Sequence, residues 1–260
     1  MGARLHFTRH FWQASIKPVL RRMLYEARQH TARLLRSILP AVEKIVPSAG
    51  RSMRAWHWIW QPTFSAQYLH KFYEKGADPF KFDSNPYESE KYAYSLSLLE
   101  QRTYRHALEI GAAEGAFTVL LARICDKVTA VEIAAPAVER ARLRLQHVSN
   151  VDILQAALPN QVPAGPFDLI VASDVLYYLP KDVLFDSLKR IQERLMPGGY
   201  FFALHYMGDF GQPLLGDEVH SLLKKHCRLN VIHDETRFGQ GPKAEKGFAV
   251  TIFQKQDASV

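Results

Sequence analysis

Between Tyr104 and Tyr206 the chain alternates in a way that leaves few folds open. Short apolar runs at 106–110, 127–133, 151–155, 167–172 and 200–206 are separated by helical patterns at 116–124, 135–146 and 184–195. Strands alternating with helices imply βαβ units and a parallel sheet covered on both faces. The chain then ends differently. A helix near 217–226 leads to LNVIHDE and, after a loop, to GFAVTIF, two strands close enough to pair as a long hairpin. The predicted fold class is α/β, a Rossmann-like parallel sheet with a C-terminal antiparallel hairpin and helices on both faces.

Ligands in such sheets lie beyond the carboxyl ends of the strands, where the connections diverge. The segment ALEIGAAEGAFTVLLA, residues 107–122, is a strand-to-helix turn of that kind, with Glu109, Gly111 and Gly115 in it. The two glycines remove side chains where a backbone must come close to a ligand and a helix must start. A dinucleotide site would want G-x-G-x-x-G, but Ala113 stands at the middle glycine and Glu114 would repel a pyrophosphate. A P-loop would need a lysine where Ala116 stands. Glu132, ending the second strand, suits the two hydroxyls of a ribose. The turn wants a nucleoside without phosphates, and S-adenosylmethionine meets that description.

Composition sets the outer bounds. At 260 residues with 47% apolar side chains, the chain can bury one full core and a small appendage. Two cysteines, Cys125 and Cys227, far apart and without ligand spacing, fit a reducing compartment and argue against a disulfide framework or a metal site. No apolar run approaches the roughly 18 residues needed to span a bilayer, and no secretory signal is expected. The expected location is cytoplasmic, with an option of peripheral contact at the inner face of the membrane. That option comes from the N-terminus, where residues 1–60 carry 11 Lys and Arg against Glu26 and Glu43, while the other 200 residues hold 22 basic and 24 acidic side chains. A helix predicted at 18–39 has Leu20, Met23, Ala27, Leu34 and Ile38 on one face and five arginines elsewhere. It can lie on an anionic membrane surface or dock on the catalytic domain, and a transit peptide is a lesser option. The expected divisions are a basic helical extension at 1–60, a lid or cap segment at 70–102, and the catalytic domain at 103–256.

The E-x-G-x-x-x-G turn, Glu132, PFDLIVASDVLYYL and LMPGGYFFAL together resemble class I S-adenosylmethionine-dependent methyltransferases. DPFKFDSNPYESEKY at 78–92 and SDVLYYL at 173–179 are similar to the nodulation protein S family, which N-methylates a deacetylated glucosamine on a chitin-type oligosaccharide. The resemblance implies that Gly111, Ala112 and Gly115 face the methionine moiety and that Glu109 links to its amino group. It places the ribose on Glu132 and the adenine beside Ile133. Ala157 stands where the family usually has an acid for the adenine amine, so backbone groups near Ala157 and Leu158 would have to hold the ring. Phe80 replaces a tryptophan frequent in the family. Ser173 would lie against the cofactor and Tyr87 in the segment folding over it.

The methyl group of a sulfonium is already activated, so alignment of the nucleophile is the main task. A neutral amine attacks directly, whereas a hydroxyl needs a base. Asp174, Tyr178 and His205 are the expected catalytic group at the rim of strands four and five, with Asp174 both orienting an ammonium and taking its proton. His205 can equally be a structural histidine, and one of Tyr177 and Tyr178 is expected merely to pack. The expected acceptor is a small molecule or saccharide, most readily the amine of an amino sugar. Alternatives are a sugar or natural-product O-methyltransferase, an RNA or DNA methyltransferase, and a non-catalytic protein of the same fold. No nucleic-acid partner is expected, because the body of the chain is slightly acidic and SDVLYYL is unlike the N/D-P-P-Y run of many base methyltransferases.

Overall fold

A computed structural model describes residues 64–238 and 247–257. The basic extension, with its helix at 18–39, lies outside the described residues, so that expectation is carried no further by the structure. The chain divides into two units, and the one described here comprises Phe64–Asp209 and Leu214–Val260. In the other unit, the Phe210 amide donates to the Gln212 carboxamide oxygen at 2.9 Å.

Two helices precede the sheet. Helix α1, Ala66–Glu74, starts at Ser65, whose hydroxyl accepts the Tyr68 amide at 3.2 Å. Helix α2, Pro86–Leu99, starts at Asn85, whose side chain accepts the Tyr87 amide at 3.1 Å, and Pro86 fits its first turn. The alternation then follows as expected: β1 (Ala107–Ile110), α3 (Ala116–Leu121), β2 (Val128–Glu132), α4 (Ala135–Arg144), β3 (Val151–Gln155) and β4 (Phe167–Ser173). A 3-10 turn at Leu176–Tyr178 leads into α5 (Lys181–Arg194), β5 (Leu195–Tyr206), α6 (Gly216–His226), β6 (Asn230–Arg237) and β7 (Phe248–Gln254).

The seven strands lie in the order β3-β2-β1-β4-β5-β7-β6. Pairing is parallel from β3 to β5 and antiparallel through β7 and β6. β1 and β2 are buried at every position, the signature of strands covered on both faces. Helices α1 and α4 meet around Tyr73, Ala134 and Ala137, with Leu69, Phe80 and Ala113 packed beside them. The chain runs outward from β1 through β2 to β3 and then returns to place β4 on the other side of β1. The reversal opens a crevice between the carboxyl ends of β1 and β4, and the loops after them, at Gly111 and at Asp174, face each other there. Cys125 and Cys227 are buried free thiols. Among the described residues no helix is long and apolar enough to cross a membrane, and no cluster of His, Cys, Asp and Glu could hold a metal ion.

Candidate functional site

The turn after β1 is built from left-handed residues. Gly111, Ala113 and Gly115 have φ of 78°, 48° and 79°. The glycines also answer a need inside the protein. A Cβ on Gly111 would come within 2.6 Å of Val175 Cγ2, and one on Gly115 within 2.9 Å of Leu145 Cδ1. Gly111 therefore lets the β1 loop close on the β4 loop, and the amides of Gly111 and Ala112 both donate to the Val131 carbonyl, at 2.8 and 3.1 Å.

Two carboxylates flank this turn. Glu132 is 6% exposed, and its oxygens accept the amides of Ala113 at 3.0 Å and Ala134 at 2.9 Å. A carboxylate offers about four lone-pair directions, and the Ile133 amide also draws on it, so at least one remains open. Burial pushes its carboxyl up, against the pull of those amides. Glu109, on β1, is 3% exposed and accepts the Thr118 hydroxyl at 2.6 Å. Burial raises its carboxyl to about 7, outweighing Thr118. Among the described residues neither acid has a cationic partner. Buried acids without cations suit a ligand that brings an ammonium and a diol, and they would repel a pyrophosphate. Glu114, by contrast, is satisfied within the protein: it accepts the Asp78 amide at 3.0 Å and Arg140 Nε at 2.8 Å, anchoring the loop between α1 and α2.

The adenine end is less open than the sequence implies. Ile133 is half-buried beside Glu132. The Ala157 amide is committed to the Gln161 side chain at 2.8 Å and its carbonyl to the Gln161 amide at 3.0 Å. Of the two backbone positions expected to hold the ring, Leu158 is the one left without such a partner in the turn. Ser173 ends β4 at half burial. Tyr87 is buried against the rings of Tyr206 and Phe248, which puts it on the β5 and β7 side of the crevice. From the same helix, Tyr92 stacks on Phe117 of α3 at 5.1 Å.

At the rim of β4 and β5 the three residues of the expected catalytic group take different places. Asp174, with φ of 53°, accepts the Tyr206 amide at 2.7 Å, the Tyr177 hydroxyl at 3.0 Å and Lys91 Nζ at 2.5 Å. Lys91 is 1% exposed and also bonds Glu88 on its own helix. Burial alone would raise the Asp174 carboxyl; the Lys91 charge and hydrogen bond, with the Tyr206 amide, hold it below the usual range instead. Asp174 is thereby held toward its ionised form, with Lys91, the Tyr177 hydroxyl and the Tyr206 amide already on its oxygens. His205 does not reach the rim at all. It is 0% exposed, its Nε2 accepts the Leu176 amide at 3.2 Å, and burial, with the His220 ring beside it, pulls its pKa well below 6.5. Tyr178 sits edge-on to Tyr177 at 4.7 Å and against Phe64 at 4.8 Å, and burial raises its phenol. The tyrosine whose hydroxyl reaches Asp174 is Tyr177.

Lys91, Thr118, Gln161 and Tyr177 therefore join the site although the sequence reading gave none of them a role. For Lys91 a signal existed: Glu88 and Lys91 are three apart on a helix, the spacing of an ion pair.

The model of the nodulation protein S family matches residues 65–203. Nodulation protein S of Sinorhizobium fredii is 35% identical over 126 residues, which is 47% of this chain and 58% of that protein. Its Bradyrhizobium diazoefficiens counterpart is 37% identical over 108 residues, 41% and 51% of the two chains. The chain thus spans between half and three-fifths of the length of these curated relatives. The crystal structure of N-methyltransferase NodS from Bradyrhizobium japonicum in complex with S-adenosyl-L-homocysteine superposes with a TM-score of 0.64 at 26% identity, covering 72% of this chain and 97% of that one.

Proposed function

The chain belongs to the nodulation protein S family, and from that premise we propose that it is an S-adenosylmethionine-dependent N-methyltransferase whose acceptor is the amine of an amino sugar or small oligosaccharide. The observation that carries the reading is the pair of buried, cation-free acids, Glu109 and Glu132, on either side of the glycine turn. Glu132 keeps lone-pair capacity for a ribose hydroxyl, and Glu109 faces the place of the methionine ammonium. Bound there, the cofactor supplies a methyl group already activated as a sulfonium. The protein's own contribution is alignment and the handling of the acceptor's charge.

Asp174, ionised at the tip of β4, orients the acceptor nitrogen. A hydroxyl acceptor would need a base as well, and neither expected base suits: the Asp174 carboxyl is held low, and His205 is sealed inside. A neutral amine, its ammonium proton already lost to solvent, attacks without one; the methyl–sulfur bond breaks as the nitrogen–methyl bond forms, and the product is a methylammonium. This difference favours nitrogen over oxygen, in line with the N-methyltransferase named among the solved structures.

The test offers labelled S-adenosylmethionine and two oligosaccharides to the purified protein, a fully acetylated chitin fragment and one with a single free amine. The expected result is one methyl group on the free amine, located by fragmentation in the mass spectrometer, and none on the acetylated fragment. A methyl on a hydroxyl would overturn the N-methyl reading, and failure to bind S-adenosylhomocysteine in a calorimeter would overturn the cofactor reading.

A further inference from the structure

A line of hydrogen bonds outside the cofactor crevice runs from β6 to the turn after β4. Lys224 Nζ donates to Asp234 at 2.6 Å, and the other oxygen of Asp234 accepts the Thr251 hydroxyl at 2.8 Å. Thr251 Oγ1 lies 2.6 Å from His220 Nδ1, and His220 Nε2 lies 3.2 Å from His205 Nδ1. His205 Nε2 ends the line at the Leu176 amide, 3.2 Å away. Thr251, His220 and His205 are buried at 0%, 3% and 0% exposure, whereas Asp234 and Lys224 are open to solvent. Register explains part of this: Asp234 and Thr251 are directly paired across β6 and β7.

The two ends fix the direction of every bond between them. A carboxylate can only accept and a backbone amide can only donate. Thr251 gives its proton to Asp234 and so accepts from His220 Nδ1–H. His220 Nε2 is then a lone pair that accepts from His205 Nδ1–H, and His205 Nε2 is a lone pair that accepts the Leu176 amide. Both rings are neutral and carry their proton on Nδ1. Reversing His205 would set its Nε2–H against the N–H of Leu176, and reversing His220 alone would set its Nε2–H against the Nδ1–H of His205. The charged and titratable groups around the rings are Asp174 and Lys91 beside His205, and Asp174, Asp234 and Lys224 around His220. Burial disfavours an imidazolium in both places, in keeping with neutral rings.

Leu176 opens the 3-10 turn that carries Tyr177, whose hydroxyl reaches Asp174 and whose ring stands edge-on to His205 at 5.2 Å. We propose that His205, His220 and Thr251 are positioning residues, a one-directional relay terminated by Asp234 that holds the Leu176–Tyr178 turn, and through Tyr177 the Asp174 carboxylate, in place for the methyl acceptor. Its kinetic consequence rests on the methyltransferase reading, and its geometry does not.

The test uses the full-length protein labelled with ¹⁵N-histidine. Two neutral rings protonated on Nδ1 are expected near neutral pH; substitution of His220 removes one signal and disturbs the other. Finding His205 or His220 protonated on Nε2 overturns the relay. His220→Gln keeps one acceptor for His205 and one donor for Thr251, whereas His220→Leu keeps neither. His220→Leu is expected to lower kcat about 10-fold to 100-fold with S-adenosylhomocysteine affinity within about twofold, and His220→Gln to recover most of the loss. Equal losses in the two variants, or losses that follow only the melting temperature, overturn the positioning role. Should the wild type methylate no acceptor, the functional reading falls while the tautomers still decide the relay.

Discussion

Glu109 shows how a single buried side chain can make ligand binding depend on pH. Its carboxyl is raised to about 7 by burial, so near pH 6 it is largely protonated. An arriving ammonium favours the carboxylate and expels that proton. Calorimetry of S-adenosylhomocysteine at about pH 6, repeated in buffers of different ionisation enthalpy, should therefore register proton release that fades above about pH 8. Glu109→Gln should abolish the effect, and a heat independent of buffer in the wild type would contradict it. Glu109, Glu132 and the two glycines were legible in the sequence because their chemistry is local to one strand-to-helix turn. The partners of Asp174 were not, since Lys91 lies 83 residues away and meets it only through the tertiary fold. His205 takes the structural one of its two expected places, and the sequence could not choose between them. In a strand buried on both faces every position is apolar or enclosed, so the pattern carries no sign of which way a polar side chain points.

Among the elements, α2 and β4 are joined by the Lys91–Asp174 pair, and that join can be measured. Asp174→Asn leaves Lys91 with a single charged partner among the described residues, Glu88, in a buried place. We expect a loss of about 3 kcal/mol in urea unfolding, with part of it regained when Lys91→Met is added, because removing both charges lifts the penalty for an uncompensated one. Equal stability of the wild type and Asp174→Asn would mean that the pair contributes nothing to the fold. Element positions were largely readable from the sequence, with most strand ends within a residue or two. The exception is β5, which starts at Leu195 and not at 200. MPGG lies inside β5, but it bulges: Gly198 takes a φ of 74° and the pairing with β4 shifts register between Phe167 and Leu169. Helix α5 likewise begins at Lys181, because Pro180 can stand ahead of a first turn whose amides have no partner.

For the molecule as a whole, the two buried histidines give the stability curve a sloping acid side. His220 has its pKa lowered from 6.5 to about 4, first by burial. Between those values the unfolded chain binds a proton that the folded chain refuses, so stability rises with pH across that window and levels off above it. The His220 share is about 3 kcal/mol, and it should appear as the difference in slope between wild type and His220→Gln in urea titrations at several pH values. Parallel curves would show that His220 is protonated alike in both states. The fold class was legible because alternating buried strands and helices admit one broad architecture; what joins its parts was not, because those bonds cross from one end of the chain to the other. One of those joints also bears on how such a protein could lose its activity over generations. Asp174 holds a left-handed backbone, a conformation that Asn and Gly accept with ease and that most residues resist. A single base change turns an aspartate codon into either one. Drift at this position therefore has two neighbouring exits that spare the backbone and remove the charge, and sequences that have lost the aspartate should carry Asn or Gly here before any other residue, with Lys91 replaced by an uncharged residue alongside.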